Sequence, residues 1–158
     1  MSYPPPNILI VEARFYEDIA DELVRGAVAV LEEAGAAYER ISVPGAFEIP
    51  AAVKYAVRAL DFDTDRRRFD GFVTLGCVIR GETTHYDYVC GESARGLMEL
   101  ATTYSLALGY GILTCENREQ AQTRAAVAQG NKSNKGGTAA RACLDMIALK
   151  HRFKLYPR

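Results

Sequence analysis

Four times along this chain a short apolar run gives way to a longer stretch whose apolar residues recur at helical spacing, and that alternation constrains the fold more than any other feature. The first run, Ile8-Leu9-Ile10-Val11 within residues 7–12, is unbroken, as suits a strand covered on both faces. Residues 17–34 then set Ile19, Leu23, Ala27 and Val30 beside Val24, Val28 and Leu31 on one stripe, with Gly35 where a helix stop belongs. Residues 38–43 form the second predicted strand. The segment from Val43 to Pro50 leads it into a helix over about 51–60, and Pro50 suits the first helical turn. Residues 71–75 are the third strand and 91–105, carrying Leu97, Met98, Leu100 and Ala101, its helix. The fourth strand covers 111–115. A helix over 119 to about 128, a glycine-rich break at 130–137 and a last helix from 138 to about 151 complete the series. A proline-rich arm, residues 1–6, precedes it, and residues 153–158 are expected to fray.

Parallel strands need crossover connections, so this order predicts the α/β class. The expected architecture is a three-layer α/β/α sandwich, flavodoxin-like, around a central, mostly parallel four-stranded sheet, in one domain spanning residues 1–158. A chain of 158 residues is long enough to bury about 70% of its unfolded surface without disulfide or metal. Cys77, Cys90, Cys115 and Cys143 are scattered, with no CxxC pair and two histidines in all, so reduced, mostly buried thiols and no metal are expected. Nineteen basic against twenty acidic residues leave a net charge of -1, which offers no footprint for nucleic acid or an anionic membrane. Small molecules or proteins are the expected partners. No apolar run approaches the ~20 residues of a membrane span and no signal-peptide pattern opens the chain, so a cytoplasmic location is expected.

In open parallel sheets ligands bind at the carboxyl ends of the strands, so unusual residues should follow strands. Arg14-Phe15-Tyr16 follows the first, Pro44-Gly45-Ala46-Phe47-Glu48 the second, the stretch from Leu75 to Tyr88 the third, and Glu116-Asn117 the fourth. The third is the richest. Its glycines let a ligand approach the backbone, and Thr83-Thr84 precedes His85, the side-chain type most readily poised to move protons near neutral pH. A lone loop histidine is more commonly a surface residue, so His85 needs company to count as a catalyst. Nucleotide signatures are missing: no GxGxxG follows the first strand, and Gly109-Tyr110-Gly111 precedes a strand. The break at 130–137 has glycines and lysines but lacks P-loop spacing. Ser93 and Cys90 have no evident base nearby, which gives covalent catalysis little support. Arg66-Arg67-Arg68 reads as a solvated connection.

Several of these segments occur together in one family. Arg14-Phe15, Val43-Pro44-Gly45-Ala46-Phe47-Glu48-Ile49-Pro50, the run from Leu75 to Asp87 containing Val78-Ile79-Arg80-Gly81-Glu82-Thr83-Thr84-His85-Tyr86, Gly111 to Asn117 and Asn134-Lys135-Gly136 stand in the order and spacing of the 6,7-dimethyl-8-ribityllumazine synthases. The chain resembles that family from Ile8 to about Leu149, and the joint motif is far more specific than any single glycine pattern.

The resemblance implies condensation of 5-amino-6-(D-ribitylamino)uracil with 3,4-dihydroxy-2-butanone 4-phosphate, the penultimate step of riboflavin biosynthesis, releasing phosphate and water and using no cofactor. It assigns the pyrimidine and ribityl chain to Phe15, Ala46, Phe47, Glu48, Cys77, Val78, Ile79 and Tyr110. It assigns the phosphate to Gly81, Glu82, Thr83, Arg124 and Lys135, with Lys132 against Lys135 left open, and proton transfer to His85. Taken singly, Phe15 and Phe47 could be core aromatics, Glu48 a charge favoured at a helix start and Arg124 a solvated helix face. Tyr110 departs from the family's common aromatic by a hydroxyl. The resemblance further implies a homopentamer whose active sites are shared between neighbours, and a functional link to riboflavin synthase. The break at 130–137 is longer than in shell-forming relatives, so a free pentamer, or a pair of them, is expected. A non-catalytic flavin or lumazine carrier on the same scaffold is the alternative.

Overall fold

The computed structural model describes residues 3–63, 65, 67–127 and 134–155. The order along the chain is β1 (Asn7–Ala13), α1 (Glu17–Glu33), β2 (Ala37–Val43), a 3-10 turn (Ala46–Glu48), α2 (Ile49–Ala59), β3 (Gly71–Ile79), α3 (His85–Tyr104), β4 (Ala107–Cys115), α4 (Arg118–Ala125) and α5 (Lys135–Arg152). The four strands form one sheet in the order β2-β1-β3-β4, and every neighbouring pair is parallel. The α/β expectation holds, with the sheet parallel throughout.

Side-chain alternation builds two cores on opposite faces of this sheet. Ile8, Ile10, Val73 and Leu75 point to one face, where Leu23, Ala27 and Leu31 of α1 and Ala140, Cys143 and Ile147 of α5 cover them. Leu9, Val11, Phe72 and Ile112 point to the other, under Val53 of α2 and Leu97 of α3. β1 lies between two strands and two helical layers, so all seven of its residues are buried, as its unbroken apolar run requires. Edge strand β2 is mostly exposed, in keeping with Glu39, Arg40 and Ser42. Among the described residues no helix is long and apolar enough to cross a membrane. All four cysteines are unpaired, and only Cys90 is less than fully buried.

Helix ends follow local chemistry. α1 stops at Gly35, whose φ of 71° lets its N–H bond to the Glu32 carbonyl at 3.0 Å while the Ala36 N–H reaches Leu31 at 2.9 Å. Pro50 sits in the first turn of α2, as predicted. Residues beyond Arg152 make a similar cap on α5: Lys154 takes a φ of 60°, and the N–H groups of Lys154 and Leu155 bond to the His151 and Lys150 carbonyls.

Several predicted boundaries are corrected. β3 continues past Leu75 to Ile79 because Gly76 sits inside the ladder opposite Ile112 instead of ending it. β4 begins at Ala107, ahead of the predicted Gly111. Its Gly109 is a place of close approach, since a Cβ there would lie 1.9 Å from the Ala139 carbonyl oxygen of α5. α3 begins at His85, not Gly91. The Thr83 hydroxyl accepts from the His85 N–H at 3.3 Å, and Asp87 places a carboxylate in the positive first turn. α5 begins at Lys135 behind the capping side chain of Asn134, ahead of the predicted residue 138, and α4 ends at Ala125.

Candidate active site

A parallel sheet brings all four strand carboxyl ends to one edge, and the connections after β1, β2 and β3 meet there around a cleft of about 580 Å³. Phe15 and Tyr16 enter from the first connection, Pro44 to Glu48 from the second, and Cys77, Val78 and Ile79 from the end of β3. Gly81, Thr83, His85, Tyr86 and Val89 close it from the connection to α3 and that helix's first turns.

Several side chains in this cleft are open to a ligand. Phe15 is 72% exposed and Phe47 56%, which removes their reading as core aromatics and leaves two ring faces for a flat partner. Phe15 keeps its place through an edge contact with Tyr16, centroids 5.0 Å apart. Glu48 occupies the cap position of α2, yet its side chain makes no capping bond, so the carboxylate is left open to a hydrogen-bond donor. His85 is exposed at the start of α3. The N–H groups of Gly81, Glu82, Thr83 and Thr84 have no partner among the described residues, and they stand where the helix dipole favours an anion. Burial pushes the Cys77 thiol up to about 12, so it is neutral near pH 7 and unsuited to act as a nucleophile.

Charged networks hold the cleft loops in place. Glu12, 3% exposed at the end of β1, receives Arg40 through Nε at 2.8 Å and Nη2 at 2.9 Å, and Arg14 through Nη1 at 2.8 Å. Arg14 also grips Asp21 on α1, so the residue preceding Phe15 is tied to strand and helix together. Arg80 stacks 4.3 Å from the Tyr86 ring centroid, bonds Glu116 through Nε at 2.9 Å, and faces Asp87 at 3.4 Å. It joins the loop after β3 to the one after β4.

Burial alone would raise the Glu12 carboxyl, but the hydrogen bonds from Arg40 and Arg14 outweigh it and hold the group below its ordinary value of 4.5. A carboxyl depressed in the folded state contributes stability above its unfolded pKa and loses it as pH falls through the folded value. Glu12→Gln should therefore lower Tm at pH 7, with the gap from the parent closing below about pH 4. Thermal melts across that range check it, and a gap that stays constant in acid refutes the linkage.

Of the residues assigned from sequence, Phe15, Ala46, Phe47, Glu48, Cys77, Val78, Ile79, Gly81, Thr83 and His85 line this one cleft. Glu82 lies on its rim between two of them. Tyr110, Arg124 and Lys135 do not line it. Tyr110 lies on edge strand β4, 41% exposed, and burial raises its pKa while a Ser93 contact opposes the rise. Arg124 projects from α4 and bonds the Gln120 carbonyl at 3.0 Å, and Lys135 is exposed at the first turn of α5. Lys132 and the first half of the glycine-rich break, residues 130–133, lie outside the described residues. Tyr16, Tyr86 and Val89 line the cleft too but were given no site role from sequence. The signal was Thr84-His85-Tyr86-Asp87, a helix-start pattern that puts His85 and Val89 one turn apart on the cleft side.

A parallel α/β sheet whose strand ends open into an aromatic cleft, with free amides and a histidine at one helix start, defines a small-molecule-binding protein of the three-layer α/β class. The description 6,7-dimethyl-8-ribityllumazine synthase belongs to the family model that matches residues 5–151. The 6,7-dimethyl-8-ribityllumazine synthase 1 of Rhizobium meliloti (strain 1021) is 57% identical over 148 residues, covering 94% of both chains. The 6,7-dimethyl-8-ribityllumazine synthase of Agrobacterium fabrum (strain C58) is 58% identical over 145 residues, covering 92% of this chain and 95% of its own. That of Bartonella tribocorum is 53% identical over 148 residues, covering 94% and 92%. The chain belongs to the 6,7-dimethyl-8-ribityllumazine synthase family.

Proposed function

We propose that this protein condenses 5-amino-6-(D-ribitylamino)uracil with 3,4-dihydroxy-2-butanone 4-phosphate to 6,7-dimethyl-8-ribityllumazine, with loss of phosphate and water. The observation that carries the reading is the cleft itself, which sets exposed Phe15 and Phe47, an uncapped Glu48 and the anion-favouring start of α3 around His85. The pyrimidine stacks on Phe15, a contact worth about 1 kcal/mol beyond its burial, and reads main-chain groups at Ala46, Cys77, Val78 and Ile79. Glu48 accepts from the ribityl hydroxyls. The phosphate lies on the amides of Gly81, Glu82 and Thr83, with Arg124 as the bidentate cation. Amine attack, imine formation, phosphate loss and ring closure all shift protons, and His85 is the group placed to carry them. Holding both substrates side by side supplies much of the remaining acceleration.

Tyr110 and Arg124 lie away from their own chain's cleft, which supports a homopentamer in which they complete the partner subunit's site. A free pentamer or a pair of pentamers is the assembly proposed, working with riboflavin synthase downstream. Unpaired cysteines accord with a cytoplasmic location. Mixing the two substrates with purified protein and following lumazine absorbance tests the function. Product formation well above the spontaneous rate is expected, and a rate no faster than that of buffer would overturn it.

A further inference from the structure

α4 is eight residues long and buries two alanines, Ala121 and Ala125. A methyl group hidden from water contributes only about 0.8 kcal/mol, so apolar contact fixes this helix weakly. Polar ties at its two ends must set where it lies. At its start, the Asn117 side chain accepts from the Gln120 N–H at 2.9 Å. At its end the ties converge on Asn134, a 5%-exposed side chain that precedes α5.

Asn134 uses its whole amide. Its Oδ1 accepts from the Gly137 N–H at 2.8 Å and so caps α5. Its Nδ2 donates to the Ala125 carbonyl at the end of α4 and, at 3.2 Å, to the Glu22 carbonyl of α1. The amide lies against Gly26 of α1, where a Cβ would stand 1.9 Å from Oδ1. Glu22 adds a second tie, its carboxylate accepting from the Val127 N–H at 2.9 Å. One buried amide thus locks three helices where Ala125, the residue after Arg124, leaves α4.

We propose that Asn134 is the positioning residue for Arg124: through the Ala125 carbonyl it sets the height and rotation of α4, and with them the phosphate-gripping guanidinium. The inference rests on the phosphate role given to Arg124 above. Asn134→Asp is the discriminating variant. A carboxylate still caps α5 but cannot donate to the Ala125 and Glu22 carbonyls, and it sets a negative charge against both.

Steady-state assays with each substrate varied in turn, with inorganic phosphate as competing ligand, read the effect. Asn134→Asp should raise KM for the butanone phosphate and the inhibition constant for inorganic phosphate together, by roughly threefold to tenfold, with KM for the pyrimidine unchanged. In an Arg124→Ala background the same substitution should add nothing. Glu22→Ala, which cuts the second tie together with an exposed ion pair to Arg25, should give a smaller shift of the same kind, and it carries the test if Asn134→Asp does not fold. Equal rises in both KM values, or a phosphate-specific loss that persists without Arg124, overturn the proposal. If Arg124→Ala itself leaves phosphate and butanone phosphate binding untouched, it is the assignment of Arg124 that fails, and Asn134 loses its positioning role with it.

Discussion

His85→Ala should slow lumazine formation by about 10²–10⁴-fold at saturating substrates while leaving pyrimidine affinity nearly unchanged. The side chain is exposed, so its removal costs the fold little. Alanine is well tolerated at a first helical position, and the Thr83 hydroxyl still receives the backbone N–H of residue 85. What disappears is the one imidazole in the cleft, at the mouth between Thr83 and Tyr86. Phe15 and the main chain of β3 are untouched, so stacking and pyrimidine recognition persist. Rates at saturation, set beside pyrimidine affinity measured by fluorescence, separate the two. Unchanged turnover would remove His85 from proton transfer. A matching loss of pyrimidine affinity would make it a binding residue.

The interior of this fold was easier to read than its edges. Ile8-Leu9-Ile10-Val11 announced a fully covered strand, and the stripe from Ile19 to Leu31 announced α1, because burial on two faces and on one stripe leave different periodicities. Glycine caused most of the boundary errors. Gly76, Gly91, Gly109 and Gly136 look like breaks, yet all four lie inside strands or helices. Gly109 and Gly136 are there because α5 presses so close: a Cβ at Gly136 would fall 1.9 Å from the Leu23 carbonyl oxygen. A close contact between distant segments leaves no local trace. Starting α3 too late had a cost at the site, since Tyr86 and Val89 belong to the cleft only when His85 opens the helix. The loop residues after β1, β2 and β3 were legible because parallel topology sends them to one edge. Tyr110 and Arg124 do not line that cleft in the folded chain, so the roles proposed for them rest on the family motif alone.

That separation makes a sharp prediction for mixed assemblies. His85→Ala and Arg124→Ala chains should each be strongly impaired alone, and co-assembling them in equal amounts should restore activity. If every site takes His85 from one subunit and Arg124 from its partner subunit, half the clefts keep the histidine and half of those meet an intact arginine. About one quarter of the sites are then whole in a randomly mixed ring. If each chain supplied both groups to its own cleft, no mixture could contain a whole site, and activity would remain at the average of the two variants. The geometry favours restoration: His85 lines the cleft of its own chain, whereas Arg124 lies on α4 with its guanidinium folded onto the Gln120 carbonyl. Neither substitution touches the core, so both chains should assemble normally. Activity of co-refolded mixtures, measured against the two variants refolded separately and then combined, decides the matter. Recovery only after co-refolding supports a shared site, and its absence in fully assembled mixed particles excludes one.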